Sequence, residues 1–170
     1  MEELETGLAQ ARQIRDPQAL WPALAGIAFA RARSGDRALA GAALDELETL
    51  RSAQPEAGRG GELVALAALA HLLLDREYEA RKKHGSGSPW DEADAAIAER
   101  DLAAAAETFA RIGARTYEAH VRLCLAEQLL ADGRRAEAAS IELGRALAFF
   151  REVGATALTR EAEALLPAAG

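Results

Sequence analysis

The chain has 170 residues, of which 43 are Ala and only eight are Ile or Val; this favours helix, because Ala loses no side-chain entropy there and strands prefer β-branched residues. The formal net charge of −7, with only Lys82 and Lys83 as lysines, argues against direct nucleic-acid binding. One cysteine, Cys124, leaves no internal disulfide to form and points to a reducing cytoplasm, while the longest nearly apolar run, 64–74, is 11 residues and too short to span a bilayer.

In chain order, the acidic start Met1-Glu2-Glu3 lacks the basic-then-apolar pattern of a signal peptide. A first helix is expected over 2–14. Asp16-Pro17 supplies an N-cap and a proline at the first helical position of a second helix, with Leu20, Ala23, Leu24, Ile27 and Ala28 on one face and Gly35 as its stop. A third helix carries Leu39, Ala43, Leu47 and Leu50 on its expected apolar stripe. The segment 54–61, with Pro55 and three glycines, is expected to be a loop. A fourth helix over 62–74 is apolar nearly all round and so expected to be buried. A polar helix over 75–83 follows, then the flexible stretch His84-Gly85-Ser86-Gly87-Ser88-Pro89.

Ser88-Pro89-Trp90-Asp91 restarts the helix, with Asp91 three residues after Ser88 as in a capping box. The next helix, from Asp101, places Leu102, Ala105, Phe109 and Ile112 on one stripe and ends at Gly113. A long helix over 116–131 bears Tyr117, Val121, Cys124, Leu125 and Leu129. Gly133 turns it into a helix reaching Val153 and stopped by Gly154, and a last helix over 156–166 is expected to end before Pro167.

Three phrases recur. They are GDRALA from Gly35, RDLAAA from Arg100 and GRRAEA from Gly133, and their starts are 65 and 33 residues apart. In an all-helical chain a period near 34 is the mark of helical hairpins stacked in a solenoid. Ala40, Ala105 and Ala138 would lie where two helices cross, and Leu44 and Phe109 one turn later would wedge between them. Glu142 occupies that place in the third unit, which suggests a one-residue shift toward Ile141 or Leu143. The expected fold is all-α, a tetratricopeptide-like solenoid of about ten helices with right-handed superhelical stacking. Degenerate repeats over 1–84, a loop over 85–88 and clearer repeats over 89–170 make it up.

The phrases Pro89-Trp90, Ile112-Gly113, GRRAEA, ALAFFREVGA and REAEALL carry a resemblance. The stretch 89–166 resembles the C-terminal tetratricopeptide-like region of large bacterial signalling proteins. Those proteins join a P-loop ATPase module to a helical-repeat tail, some with a class III adenylate/guanylate cyclase domain and others with a LuxR-type DNA-binding domain. The resemblance covers a little under half of the chain, and one extra residue lies between Ala138 and Ala146. It implies a non-catalytic interaction or regulatory segment in the cytoplasm, without a cofactor. Its partner would be a protein, a peptide or the upstream domains of the same polypeptide.

The chain's own residues offer no nucleophile elbow, and neither lysine fits a phosphate loop. His120 and Cys124, four apart, are too few ligands for a metal and read as a surface His beside a buried thiol. The run Arg81 to His84 reads as a helix C-terminus, and Glu46/Glu48, Asp91/Glu92 and Glu161/Glu163 as solvated faces. Arg115, Tyr117, His120 and Arg122 lie on the first helix of a hairpin, the one that lines the concave face of such solenoids, and form the candidate partner-binding patch. The absence of Asn argues against the Asn-containing clamp with which tetratricopeptide co-chaperones hold a peptide carboxylate. A second reading is a small-molecule effector sensor with an interhelical pocket lined by His71 and Trp90, where His71 is otherwise a satisfied core histidine.

Overall fold

Six helix ends carry one residue in the left-handed region, among them Arg15 at φ 58° after the first helix. Gly35, Asp75, Gly113 and Gly154 have φ between 54° and 83°. In each case the next residue's N–H reaches back five positions, as from Asp36 to the Arg31 carbonyl at 2.9 Å and from Arg76 to the His71 carbonyl at 2.9 Å, which ties up the last free carbonyls of the helix. Arg100 adopts the same conformation at φ 61°, so the turn of the second repeat phrase matches that of the first without its glycine. Helix starts are equally local. Asp16 accepts from Gln18 N–H, Asp36 from Leu39 N–H and Asp101 from Ala104 N–H, at 2.9, 3.3 and 3.0 Å.

A computed structural model describes residues 1–54, 65–78, 88–132 and 136–169. Among these it contains only helices and their connections: α1 (Glu2–Ile14), α2 (Pro17–Arg33), α3 (Arg37–Ala53), α4 (Ala65–Leu73), α5 (Pro89–Ala98), α6 (Leu102–Arg111), α7 (Arg115–Ala131), α8 (Ala136–Glu152) and α9 (Thr156–Ala169). The protein is all-α. None of these helices is long and apolar enough to cross a membrane.

The chain forms two compact units, Met1–Arg100 and Asp101–Gly170. In the first, α2 packs against α1, α3 and α4, and α4 also meets α3 and α5. Leu24, Ile27, Leu44, Leu47, Leu69 and Ile97 are its best-buried side chains. Arg37 Nη1 closes the end of α4 by donating to the Leu73 carbonyl at 3.1 Å. In the second unit α6 packs on α7, α7 on α8, and α9 on both α7 and α8. Its core includes Phe109, Val121, Leu123, Leu143 and Phe150.

The repeat positions behave as their chemistry requires. Ala40, Leu44, Ala105 and Phe109 are all fully buried. In the third unit Ala139 and Leu143 fill those places, so the register is shifted by one residue; the Ala138 side chain lies outside the described residues.

Several expectations need correction. Leu39 is 47% exposed, and the buried stripe of α3 runs instead through Ala40, Ala43, Leu44 and Leu47. Ser88 makes no side-chain cap bond; Pro89, with Asp91 and Glu92 in the first turn, starts α5 through a preset φ and the helix dipole. Residues 75–78 are not helical, because the left-handed Asp75 closes α4 first. The rest of that expected helix, the run Arg81 to His84, the loop over 55–61 and residues 85–87 lie outside the described residues. α9 runs on through Pro167 to Ala169.

Candidate functional site

The second unit carries a cleft of about 420 Å³ lined by Glu107 of α6, Arg115, Glu118, Ala119 and Arg122 of α7, and Arg145, Ala148 and Phe149 of α8. Helical periodicity selects these residues. Positions 115, 118, 119 and 122 recur at intervals of three and four, as do 145, 148 and 149, so each set forms one face.

Arg122 is the structural centre. It is 3% exposed and donates to three carboxylates on three helices: Nε to Glu118 at 2.8 Å, Nη1 to Glu142 of α8 at 2.6 Å and Nη2 to Glu107 at 3.0 Å. Burial alone would lower its pKa, but the three charge-assisted bonds outweigh that and raise it. Glu107 also accepts from Arg145 at 3.4 Å, and chiefly the Arg122 bond holds its carboxyl below the usual range. At the rim Arg115 donates to both oxygens of Glu152, with Nη1 to Oε1 at 2.8 Å, and its guanidinium lies 5.2 Å from the centre of the Phe149 ring. That ion pair raises Arg115 and lowers Glu152. Arg115 and Arg122 are thus held charged and Glu107 and Glu152 ionised, so these groups have no proton to exchange near neutral pH. The cleft offers directed charge, a half-buried aromatic ring and the small side chains of Ala119 and Ala148, a set suited to recognition.

Of the four residues expected to form a patch, Arg115 and Arg122 line this cleft and Tyr117 and His120 do not. Tyr117 stacks on Phe109 with centroids 5.6 Å apart, and His120 lies against Phe150 at 5.7 Å. Four neighbours in sequence fall on two helix faces. Arg122 serves the cleft from its floor, already bonded, rather than as an exposed hook. Glu107, Arg145, Ala148 and Phe149 were not anticipated here. The Glu118–Arg122 pair at i, i+4 was the legible signal.

The first unit holds a second polar cluster. His71 of α4 is 5% exposed and neither ring nitrogen has a hydrogen-bond partner among the described residues, so it is buried as expected but not satisfied. Its ring lies 5.1 Å from that of Tyr78, whose hydroxyl donates to the Asp94 carboxylate, 2.8 and 3.0 Å from its two oxygens. Asp94 is buried in α5. Burial first, then the Asp94 charge and hydrogen bond, pushes the phenol well above its ordinary range. Arg51 of α3 is 3% exposed; its Nη1 donates to Glu48 at 3.1 Å and its Nη2 is buried without a partner among the described residues. A cleft of about 710 Å³ beside Tyr78 is lined by Leu72, Asp75, Arg76, Glu77, Tyr78, Ala98 and Arg100. His71 and Trp90, the residues expected to line an effector pocket, are not in that lining.

Among the described residues no group of three or more His, Cys, Asp or Glu side chains could hold a metal ion. Cys124 is buried and is not in a disulfide. Comparison with protein-family models, with curated proteins and with solved structures finds no match to this chain.

Proposed function

We propose that this chain is a non-catalytic, tetratricopeptide-like interaction segment whose α6–α8 cleft receives a protein or peptide partner. The cleft's composition carries the reading. Arg115 and Arg145 line it together with Ala119 and Ala148, Phe149 offers a half-buried ring, and Arg122 ties the three helices together. Arginine and aromatic side chains on a rigid frame are what hot spots are made of. The 33-residue recurrence and the resemblance of 89–166 add the context: a cytoplasmic regulatory tail of a bacterial signalling or transcription-regulating ATPase, its repeats following a right-handed superhelical course. In that setting the partner is a separate protein or an upstream domain of the same polypeptide.

The test is affinity capture with the wild-type chain and with Arg115→Ala/Phe149→Ala, both first checked for intact helical content. The reading expects at least tenfold less of every specifically captured protein with the double variant. Equal capture by the two would overturn it. The second reading, a small-molecule effector sensor, draws on the cleft beside Tyr78. Its test is a thermal-shift screen of the chain against a panel of bacterial metabolites, where a shift with none of them removes this reading.

A further inference from the structure

The His71 cluster has no part in the α6–α8 cleft, and its arrangement has a consequence of its own. A neutral imidazole buried without hydrogen bonds is costly; a protonated one in the same place would be costlier. The groups around it decide how much costlier. The charges that act on it come from Arg51, Glu48 and Asp45 of α3 and from Arg76 in the segment after α4. Tyr78 lies against the ring and is committed to Asp94 of α5, the buried member among that helix's Asp91, Glu92 and Asp94. α2 also packs on α4, but its charges, Arg31 and Arg33, sit in its last turn, with Asp16 capping the other end.

The two carboxylates are already engaged. Glu48 accepts from Arg51 at 3.1 Å, and Asp45 from Arg76 at 2.7 Å. Among the described residues, a proton on His71 therefore meets no carboxylate facing it that is not already bonded. If Glu48 turns to the imidazolium, Arg51, already missing a partner at Nη2, loses its bond at Nη1 as well. Whichever cation Glu48 serves, the other is left buried and uncompensated.

We infer that the buried His71, packed on Tyr78, is an acid-sensitive latch: it holds α4 against α3 and α5 while His71 is neutral, and protonation of His71 opens the first unit locally and leaves the second closed. Desolvation, together with Arg76 and Arg51, lowers the affinity of His71 for protons in the folded state. The unfolded chain therefore binds the proton first as pH falls. The latch is fully set above the ordinary imidazole value of about 6.5 and weakens below it, by up to tenfold in the closing equilibrium per pH unit until the folded imidazole also titrates.

The experiment is amide hydrogen exchange on the full chain at pH 7.5 and pH 5.5, corrected for intrinsic rates, with the His71 imidazole followed by NMR over the same range. The latch predicts that α4 and α5 amides lose protection several-fold at pH 5.5 while α6–α8 do not, and that the imidazole titrates below its ordinary value. In His71→Leu the protection of α4 and α5 should be the same at both pH values. Equal loss in both units, loss unchanged in His71→Leu, or an imidazole titrating at or above its ordinary value would overturn the inference. If His71→Leu does not fold, exchange and titration of the wild-type chain still decide.

Discussion

Arg122 and Arg51 are equally buried, each 3% exposed, and are bonded very differently. Arg122 engages carboxylates on α6, α7 and α8 through all three of its nitrogens. Among the described residues Arg51 has one bond, to Glu48 three residues earlier on its own helix, and a buried Nη2 without a partner. Burial alone therefore does not say what a guanidinium contributes. A charge removed from water stabilises only when its partners replace what water supplied, and it orders a fold only when those partners come from different elements. The second unit has such a centre beneath its candidate binding cleft. The first has a polar cluster whose needs are partly unmet, which is a poor rigid frame and a good place for a switch.

The largest expected effect is that of Arg122→Met. It leaves Glu142 and Glu118, with side chains 16% and 23% exposed, facing one another without their cation, and should cost about 3 kcal/mol or more in urea unfolding. Next comes Glu142→Gln, which keeps two of the three carboxylates and should cost about 1–3 kcal/mol by the same measurement. Arg51→Met should change stability by less than about 1 kcal/mol, or raise it, because it removes an unmet donor along with one local ion pair. A cost for Arg51→Met equal to that for Arg122→Met would break the comparison. Smallest is Arg115→Ala, at a pair whose side chains are 55% and 56% exposed. It should leave the thermal midpoint unchanged at physiological salt, while weakening partner capture.

Acid should separate the units as well. Glu107 and Glu152 are held below the ordinary carboxylate value by Arg122, with Arg145, and by Arg115 respectively. Their contribution is present above that value and is lost as pH falls through their depressed ones. The second unit should therefore weaken only below about pH 4.5, well after the first, and circular dichroism of Arg122→Met should show that acid limb moved upward.

Much of this was legible beforehand. Gly35, Gly113 and Gly154, the Asp16 cap, and the Ala40/Leu44 and Ala105/Phe109 pairs mark helix ends and crossings by local chemistry, and they sit where expected. The misses have a common cause. Asp75 and Arg100 take left-handed turns without being glycine, and no local rule distinguishes them from helix formers. Leu39 is exposed because packing against α2 and α4 chose the Ala40–Leu44 face over a stripe of equal periodicity. The cleft was half legible: the i, i+4 pair Glu118–Arg122 could be seen, but Glu107 and Glu142 reach Arg122 from other helices, 15 and 20 residues away.

The central claim, that the α6–α8 cleft is where a partner sits, is tested most directly by a photo-crosslinking amino acid placed in living cells at Ala148, inside the cleft, and in a separate chain at Gln13, exposed on α1. The account predicts a discrete adduct from position 148 that disappears when Arg115 and Phe149 are changed to Ala, and none from position 13. The same adducts from both positions, or an adduct at 148 that survives those changes, would contradict it.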